Sequence, residues 1–168
     1  MSPVETVVYP GSFDPVTEGH MDIVARARRI FPKVLVLVAF NASKTPFLTH
    51  GQRVDLIRAS VAERGWDNVE VDSHDGLVVE YLERHGHRLL LRGLRAGGDF
   101  EHEFSISLMN RRLWAEVETV YLPTREDVMG ISSSLVREVA RLDGDLDQFV
   151  PAPVAKALRE HFSKARHG

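Results

Sequence analysis

Short runs rich in apolar and β-branched residues alternate along this chain with longer stretches whose apolar residues return every three or four positions. The runs ETVVYP (5–10), KVLVLVAF (33–40), NVEVD (68–72), HRLLLRG (87–93) and VETVYLP (117–123) read as five strands. Val34 to Phe40 is apolar at every position, as a strand covered on both faces should be. Between the runs, HMDIVARARRIF (20–31) sets Met21, Ile23, Val24, Ala27, Ile30 and Phe31 near one helical face. HGQRVDLIRASVAERG (50–65) repeats Val54, Ile57 and Val61 at helical spacing before Gly65, and GLVVEYLERHG (76–86) also stops on glycine. DFEHEFSISLMNRRLW (99–114), SSSLVREVARL (132–142) and PVAKALREHF (153–162) complete the helices, the last with proline near its first turn.

Strands alternating with helices predict an α/β fold: a Rossmann-like open parallel five-stranded sheet with helices on both faces. Neither a repeat nor a linker divides the chain, so residues 1–168 are expected to form a single domain. In such a sheet ligands bind beyond the carboxyl ends of the strands. The loops at 9–19, 41–49, 73–76, 92–98 and 123–131 therefore carry the search for chemistry.

Composition narrows the class. Twenty-one basic residues against 24 acidic ones give a net charge of −3, which offers no footprint for nucleic acid or for an anionic membrane. The longest apolar run is far shorter than the ~20 residues a membrane-spanning helix needs. The N-terminus lacks a secretory pattern and the chain has no cysteine, so a soluble, cytoplasmic protein without disulfides is expected. Neither GxGxxG nor GxxxxGK[ST] occurs. DGDLD (143–147) lacks the glycine and distal glutamate of a calcium loop and reads as a turn.

The loops hold the cations and donors of an anion site. The first is Tyr9-Pro10-Gly11-Ser12-Phe13 followed by Thr17-Glu18-Gly19-His20. Gly11 lets backbone approach a ligand, Ser12 adds a hydroxyl, and Thr17 caps the next helix. His20 then falls in the first helical turn, where a neutral N–H donor suits an anion. Lys44 follows the second strand, and Arg92 and Arg95 flank Gly93 after the fourth, suited to bidentate capture of phosphate oxygens. Asp99, His102 and Glu103 have the spacing of metal ligands on a helix. Acidic residues in a first turn are ordinary complements to the helix dipole, so Asp99 and Glu101 are read that way and Glu103 is left open. Ser132, Ser133 and Ser134 open a helix and would supply one cap plus spare hydroxyls and backbone donors. A lysine, two arginines, a histidine and a helix N-terminus at one end of one sheet describe a polyphosphate site.

These residues also carry a resemblance. PGSFDPVTEGH resembles the (T/H)xGH motif of the nucleotidyltransferase superfamily, and ISSS followed by a basic residue resembles its second signature. YPGSFDPVTEGHMDIVARA, SKTPF, LLRGLRAGGDFEHE, MNRRL and ISSSLVREVA, in this order, are similar to the bacterial phosphopantetheine adenylyltransferase family over nearly the whole chain. The resemblance implies transfer of AMP from ATP to 4′-phosphopantetheine, giving dephospho-coenzyme A and pyrophosphate. It implies Mg²⁺ bound mainly through the ATP phosphates, with no metal ligand assigned to a side chain. A homohexamer is implied too, and feedback binding of coenzyme A is raised.

Position by position, the resemblance makes His20 the transition-state stabiliser, with Lys44 and Arg95 beside it as catalytic residues. It gives ATP Ser12, Phe13, His20, Gly93, Leu94, Arg95, Glu103, and Val128, Met129, Gly130, Ile131, Ser132, Ser133 and Ser134. It gives phosphopantetheine Ser12, Lys44, Val78, Arg92 and Glu138. The chain departs from relatives at Glu18, where many have Asn, and at His102, where Tyr is usual. An aromatic is usual near Val128 and a bulky residue at Gly130, so nucleotide affinity is the property these changes bear on. Two rival readings keep the nucleotide: transfer to another acceptor such as nicotinamide mononucleotide or glycerol 3-phosphate, and a non-catalytic nucleotide sensor.

Overall fold

A computed structural model describes residues 6–39, 45–95 and 99–167. Its elements run β1 (Thr6–Gly11), α1 (Glu18–Ile30), β2 (Lys33–Ala39), α2 (His50–Glu63), β3 (Val69–His74), α3 (Val78–His85), β4 (Leu89–Leu94), α4 (Asp99–Leu113), β5 (Glu118–Pro123), α5 (Ser133–Arg141) and α6 (Ala152–His167). The strands form one sheet in the order β3-β2-β1-β4-β5, and every pairing is parallel. This is the expected doubly wound, Rossmann-like architecture. Among the described residues no helix is long and apolar enough to cross a membrane.

The alternation of side chains along each strand divides the core in two. Val7 and Tyr9 of β1 join Val34, Val36 and Val38 of β2 under α1, α2, α5 and α6, where Met21, Ile23, Ile57, Leu146 and Leu158 are fully buried. Val8 joins Leu35, Leu37 and Leu90 on the other face, against Val79, Tyr81 and Leu82 of α3. The helix ends follow their residues. Gly65 and Gly86 take positive φ just past α2 and α3, and Thr49 caps α2 through a reciprocal pair with Gln52. Helix α4 is the exception to burial, for none of its residues is buried.

One register detail positions the site. β1 and β4 pair only at Val7↔Leu89 and Val8↔Leu90, although both strands continue. Beyond Val8, β1 remains bonded to β2 and β4 to β5, so the sheet opens between its two middle strands. That is where the strand order reverses, the crevice in which doubly wound sheets hold ligands. It also explains a proline in a central strand. The Pro10 carbonyl accepts from Arg92 across the gap, so the N–H that proline lacks would have faced a ladder that has already ended.

Candidate active site

Three cavities meet at this opening. The first, about 400 Å³, is lined by Ser12, Asp14, His20, Thr45, Pro46, Arg53, Arg95, Ser132, Ser133, Ser134 and Arg137. The second, about 380 Å³, shares Ser12, His20 and Arg95 with it and adds Phe13, Arg92, Gly93, His102, Glu103, Thr124 and Ile131 among others. The third, about 200 Å³, shares Pro10, Arg92 and Glu103 with the second and reaches Val78 at the start of α3. His20 stands where the first two join, and Arg92 where the last two join.

The His20 ring is locked from both sides. Thr17 caps α1, and its backbone N–H donates to His20 Nδ1 at 3.0 Å. An amide N–H can only donate, so Nδ1 holds a lone pair and the ring proton sits on Nε2. Burial, aided by the positive charge of Arg95, pushes the His20 pKa down from 6.5 to about 4. A neutral imidazole with Nε2–H as donor is therefore the form present at neutral pH. The Phe13 ring packs edge-on to His20 at 5.0 Å and edge-on to Tyr9 at 5.3 Å. Phe13 does this from a left-handed backbone (φ 46), held there by burial to 2% exposure. Gly11 follows from the same ring. A Cβ on Gly11 would lie 2.8 Å from Phe13 Cζ, so the glycine makes room for Phe13 while its backbone lines the second cavity.

The tautomer gives a pH prediction with a definite sign. The unfolded histidine titrates near 6.5 and the folded one near 4, so protons favour the unfolded chain. The contribution of His20 to stability is complete above pH 6.5 and is lost as the pH falls through the folded value. Rate profiles would mix in the substrate phosphate, which itself titrates near ~6. Imidazole ¹⁵N NMR reads His20 alone: it should stay neutral and Nε2-protonated until the pH approaches 4. Titration near 6.5, or a proton on Nδ1, would contradict the geometry.

Arg92 and Glu103 form a second fixed unit. Arg92 Nε and Nη2 donate to the two Glu103 oxygens at 2.5 and 2.7 Å, and Nη1 donates to Pro10 O at 3.0 Å. Burial opposes the Arg92 charge, but Glu103 outweighs it and raises the guanidinium pKa on balance. Three of the five N–H groups are thus committed to holding the guanidinium in place, which leaves two at the junction of two cavities. Arg95 is exposed and bonds Asp99 through both its backbone N–H and Nε, at 3.3 and 3.2 Å.

At α5, Ser132 caps the helix by accepting from Leu135 N–H at 3.2 Å. Of the three hydroxyls, that of Ser133 is spent as a donor, while Ser132 and Ser134 accept and keep their O–H. Ser133 donates to Pro15 O at 2.8 Å, tying α5 to the first loop, and Ser134 Oγ accepts from Arg137. The helix start offers an anion the N–H groups of its first turn, with the Ser132 and Ser134 hydroxyls beside them. The other expected positions spread out. Gly93, Ile131 and Val78 line cavities, and Leu94 ends β4. Val128, Met129 and Gly130 line neither of the two larger cavities, though Val128 O lies 3.2 Å from where a Gly19 Cβ would stand. A Cβ on Gly130 would meet open space. Glu138 is exposed on α5 outside all three cavities. Lys44 lies outside the described residues.

Sequence reasoning missed Arg53 and gave Arg137 no role beyond its place in the second signature. Arg53 sits on the buried side of α2 beside Val54 and donates to Ser12 O at 2.8 Å. Arg137 donates to the Asp14 carbonyl, and it is the basic residue that follows ISSS. The signal for Arg53 was its place in the apolar register of α2, one residue before Val54. Among the described residues no group of three His, Asp or Glu side chains could hold a metal ion.

The likeness to known proteins covers the same ground. The cytidylyltransferase-like family model matches residues 8–139. A phosphopantetheine adenylyltransferase of Heliobacterium modesticaldum is 47% identical over 161 residues, covering 96% of this chain and 95% of that one. One of Desulforudis audaxviator is 44% identical over 165 residues, covering 98% of this chain and 100% of its own. A solved structure from Vibrio parahaemolyticus, named as a nicotinate-nucleotide adenylyltransferase, superposes with a TM-score of 0.65 over 91% of this chain at 16% identity, a likeness of fold. The chain belongs to the cytidylyltransferase-like family of nucleotidyltransferases, and within it to the phosphopantetheine adenylyltransferases.

Proposed function

We propose that the three cavities hold ATP and 4′-phosphopantetheine end to end, and that AMP passes directly from one to the other in the penultimate step of coenzyme A synthesis. A phosphate oxygen of phosphopantetheine attacks the α-phosphorus of ATP, the bond to the bridging β-oxygen breaks, and pyrophosphate leaves. The observation that carries this reading is the Thr17 N–H bond to His20 Nδ1, which leaves Nε2–H as a fixed neutral donor where the two larger cavities join. A donor there stabilises the extra charge that builds on the α-phosphate oxygens in the transition state. Because Thr17 has already oriented the ring, little reorganisation accompanies the reaction.

The other roles follow from position. Arg95 and the first-turn N–H groups of α5 hold the triphosphate, and Ser12 touches both substrates from the shared wall. Arg92, steadied by Glu103, and Lys44 hold the acceptor phosphate, and the pantetheine arm runs past Val78 in the smallest cavity. Glu103 then acts through Arg92, and contacts of Glu138 with the arm would need that side chain to swing inward. Coenzyme A carries the same arm and would compete for the same cavities. Positioning and charge stabilisation are what phosphoryl-type transfer requires.

Mg²⁺ fits this site as a passenger of the nucleotide. Asp14, the carboxylate in the larger cavity, already accepts from Phe47 and Leu48 N–H at 2.7 and 2.8 Å, and Mg²⁺ commonly binds through substrate phosphates with few protein ligands. When bound it supplies charge neutralisation for the departing pyrophosphate. The reading places the enzyme in the cytoplasm, where both substrates are made. Pyrophosphate release should occur with 4′-phosphopantetheine and not with nicotinamide mononucleotide or glycerol 3-phosphate. Release with either control in its place would move the acceptor, and ATP binding without release from any would favour a sensor.

Helix α4 supports the oligomer. Phe100, Phe104 and Leu108 recur at four-residue intervals and are about half exposed, with Met109 and Leu113 more so. A single chain leaving such a stripe uncovered is unusual, and copies of itself, six in the family's pattern, would cover it. Leu108→Glu should lower the mass seen by light scattering while the melting temperature of the separated chains changes little. A native enzyme that runs as a monomer would overturn the assignment.

A further inference from the structure

Arg53 is a buried cation that forms no salt bridge among the described residues. Only 4% of its surface is exposed, yet it lines the largest of the three site cavities. Its described partners are carbonyls: Nη1 donates to Ser12 O at 2.8 Å and Nε to Thr49 O at 3.4 Å. Among the described residues no carboxylate lies within ion-pairing distance of it. The two acids that bear on it electrostatically are held elsewhere. Asp14 receives the Phe47 and Leu48 N–H groups, and Asp75 pairs with His50 at 2.8 Å. Burial lowers the Arg53 pKa more than these acids raise it, but a guanidinium keeps its proton at any physiological pH. Burying a charge against neutral carbonyls alone is costly, and proteins rarely leave one so. Of the five N–H groups a guanidinium carries, the two bonds described leave several for a ligand.

The rest of that wall indicates which ligand. Arg95, Arg137 and the N-terminal turn of α5 border the same cavity, a convergence of donors that suits an anion with many oxygens rather than a single carboxylate. We infer that Arg53 binds the terminal phosphates of ATP, and free pyrophosphate in the reverse direction, while its bond to Ser12 O fixes the loop after β1. The inference rests on the triphosphate reading of this cavity.

Isothermal titration with inorganic pyrophosphate and Mg²⁺ tests it on the native enzyme and on Arg53→Met, Arg53→Lys and Arg95→Ala. The charge-free Arg53→Met should bind pyrophosphate about 10²-fold more weakly, and Arg53→Lys, with charge but no fork, about 10-fold. KM for ATP and for pyrophosphate should rise together while KM for 4′-phosphopantetheine moves less than about twofold. A folded Arg53→Met with native pyrophosphate affinity overturns the inference. So does a fall confined to kcat, which would leave Arg53 only its bond to Ser12. If the methionine variant does not fold, native affinity in Arg53→Lys decides against it. Weak binding in Arg95→Ala beside native binding in the Arg53 variants removes Arg53 alone. Native binding in all three removes the triphosphate reading of the cavity.

Discussion

His20→Ala should lower kcat by at least ~10²-fold with a much smaller change in either KM, the scale for losing one placed donor to a developing charge. The same substitution removes the acceptor of Thr17 N–H, so stability should fall by about 1 kcal/mol, as for a lost helix cap. The two effects can be separated. Gln at this position can accept from Thr17 N–H as in an ordinary capping box and still carries an amide N–H₂. His20→Gln should therefore recover the melting temperature of the native enzyme and part of its kcat. Steady-state kinetics beside thermal melts check both, and a stable His20→Ala enzyme with near-native kcat would remove His20 from the chemistry.

Arg92→Ala should be damaging in two currencies at once. Glu103 is only 14% exposed and takes two charge-assisted bonds from Arg92, so removing one partner leaves a carboxylate largely out of water. Breaking such a pair costs about 3 kcal/mol, discounted somewhat by the 24% exposure of Arg92 itself. The acceptor phosphate also loses its fork, raising KM for 4′-phosphopantetheine by ~10²-fold or more. Glu103→Gln keeps the shape and one accepting oxygen while removing the charge, so it should lose less stability. Its KM should still rise, because Arg92 is no longer held at both nitrogens. Denaturation and initial-rate kinetics on both variants test this. Unchanged KM for phosphopantetheine in Arg92→Ala would make the arginine a purely structural partner of Glu103.

Much of this was legible in the residues. The run from Val34 to Val38 is buried at every position, as its unbroken apolar character implied, and Thr17 caps α1 as its place before the helix suggested. The helix begins at Glu18, as a Thr17 cap requires, although the apolar spacing alone marks it only from His20 onward. Gly19 is tolerated in that first turn because Val128 O crowds the space of its missing Cβ. The pairing of Arg92 with Glu103 was not legible. Both residues stood out as anion-site candidates, but an ion pair between a strand end and the helix after it depends on tertiary geometry. Arg53 was hidden for a related reason. Its register on α2 belongs to the apolar face, and nothing in sequence says that this face borders a cavity there. The early end of the β1–β4 ladder, which opens the crevice, is likewise a property of the assembled sheet.

We propose a single in-line displacement at the α-phosphorus, with His20 Nε2–H, Arg95 and the α5 N-terminus stabilising charge and no covalent enzyme intermediate. Running the reaction with ATP made chiral at the α-phosphorus by sulfur and heavy oxygen, then determining the configuration of the dephospho-coenzyme A formed, tests this directly. Inversion is the result the geometry predicts. Retention would require two displacements, and with them a nucleophilic side chain to which this site assigns no role.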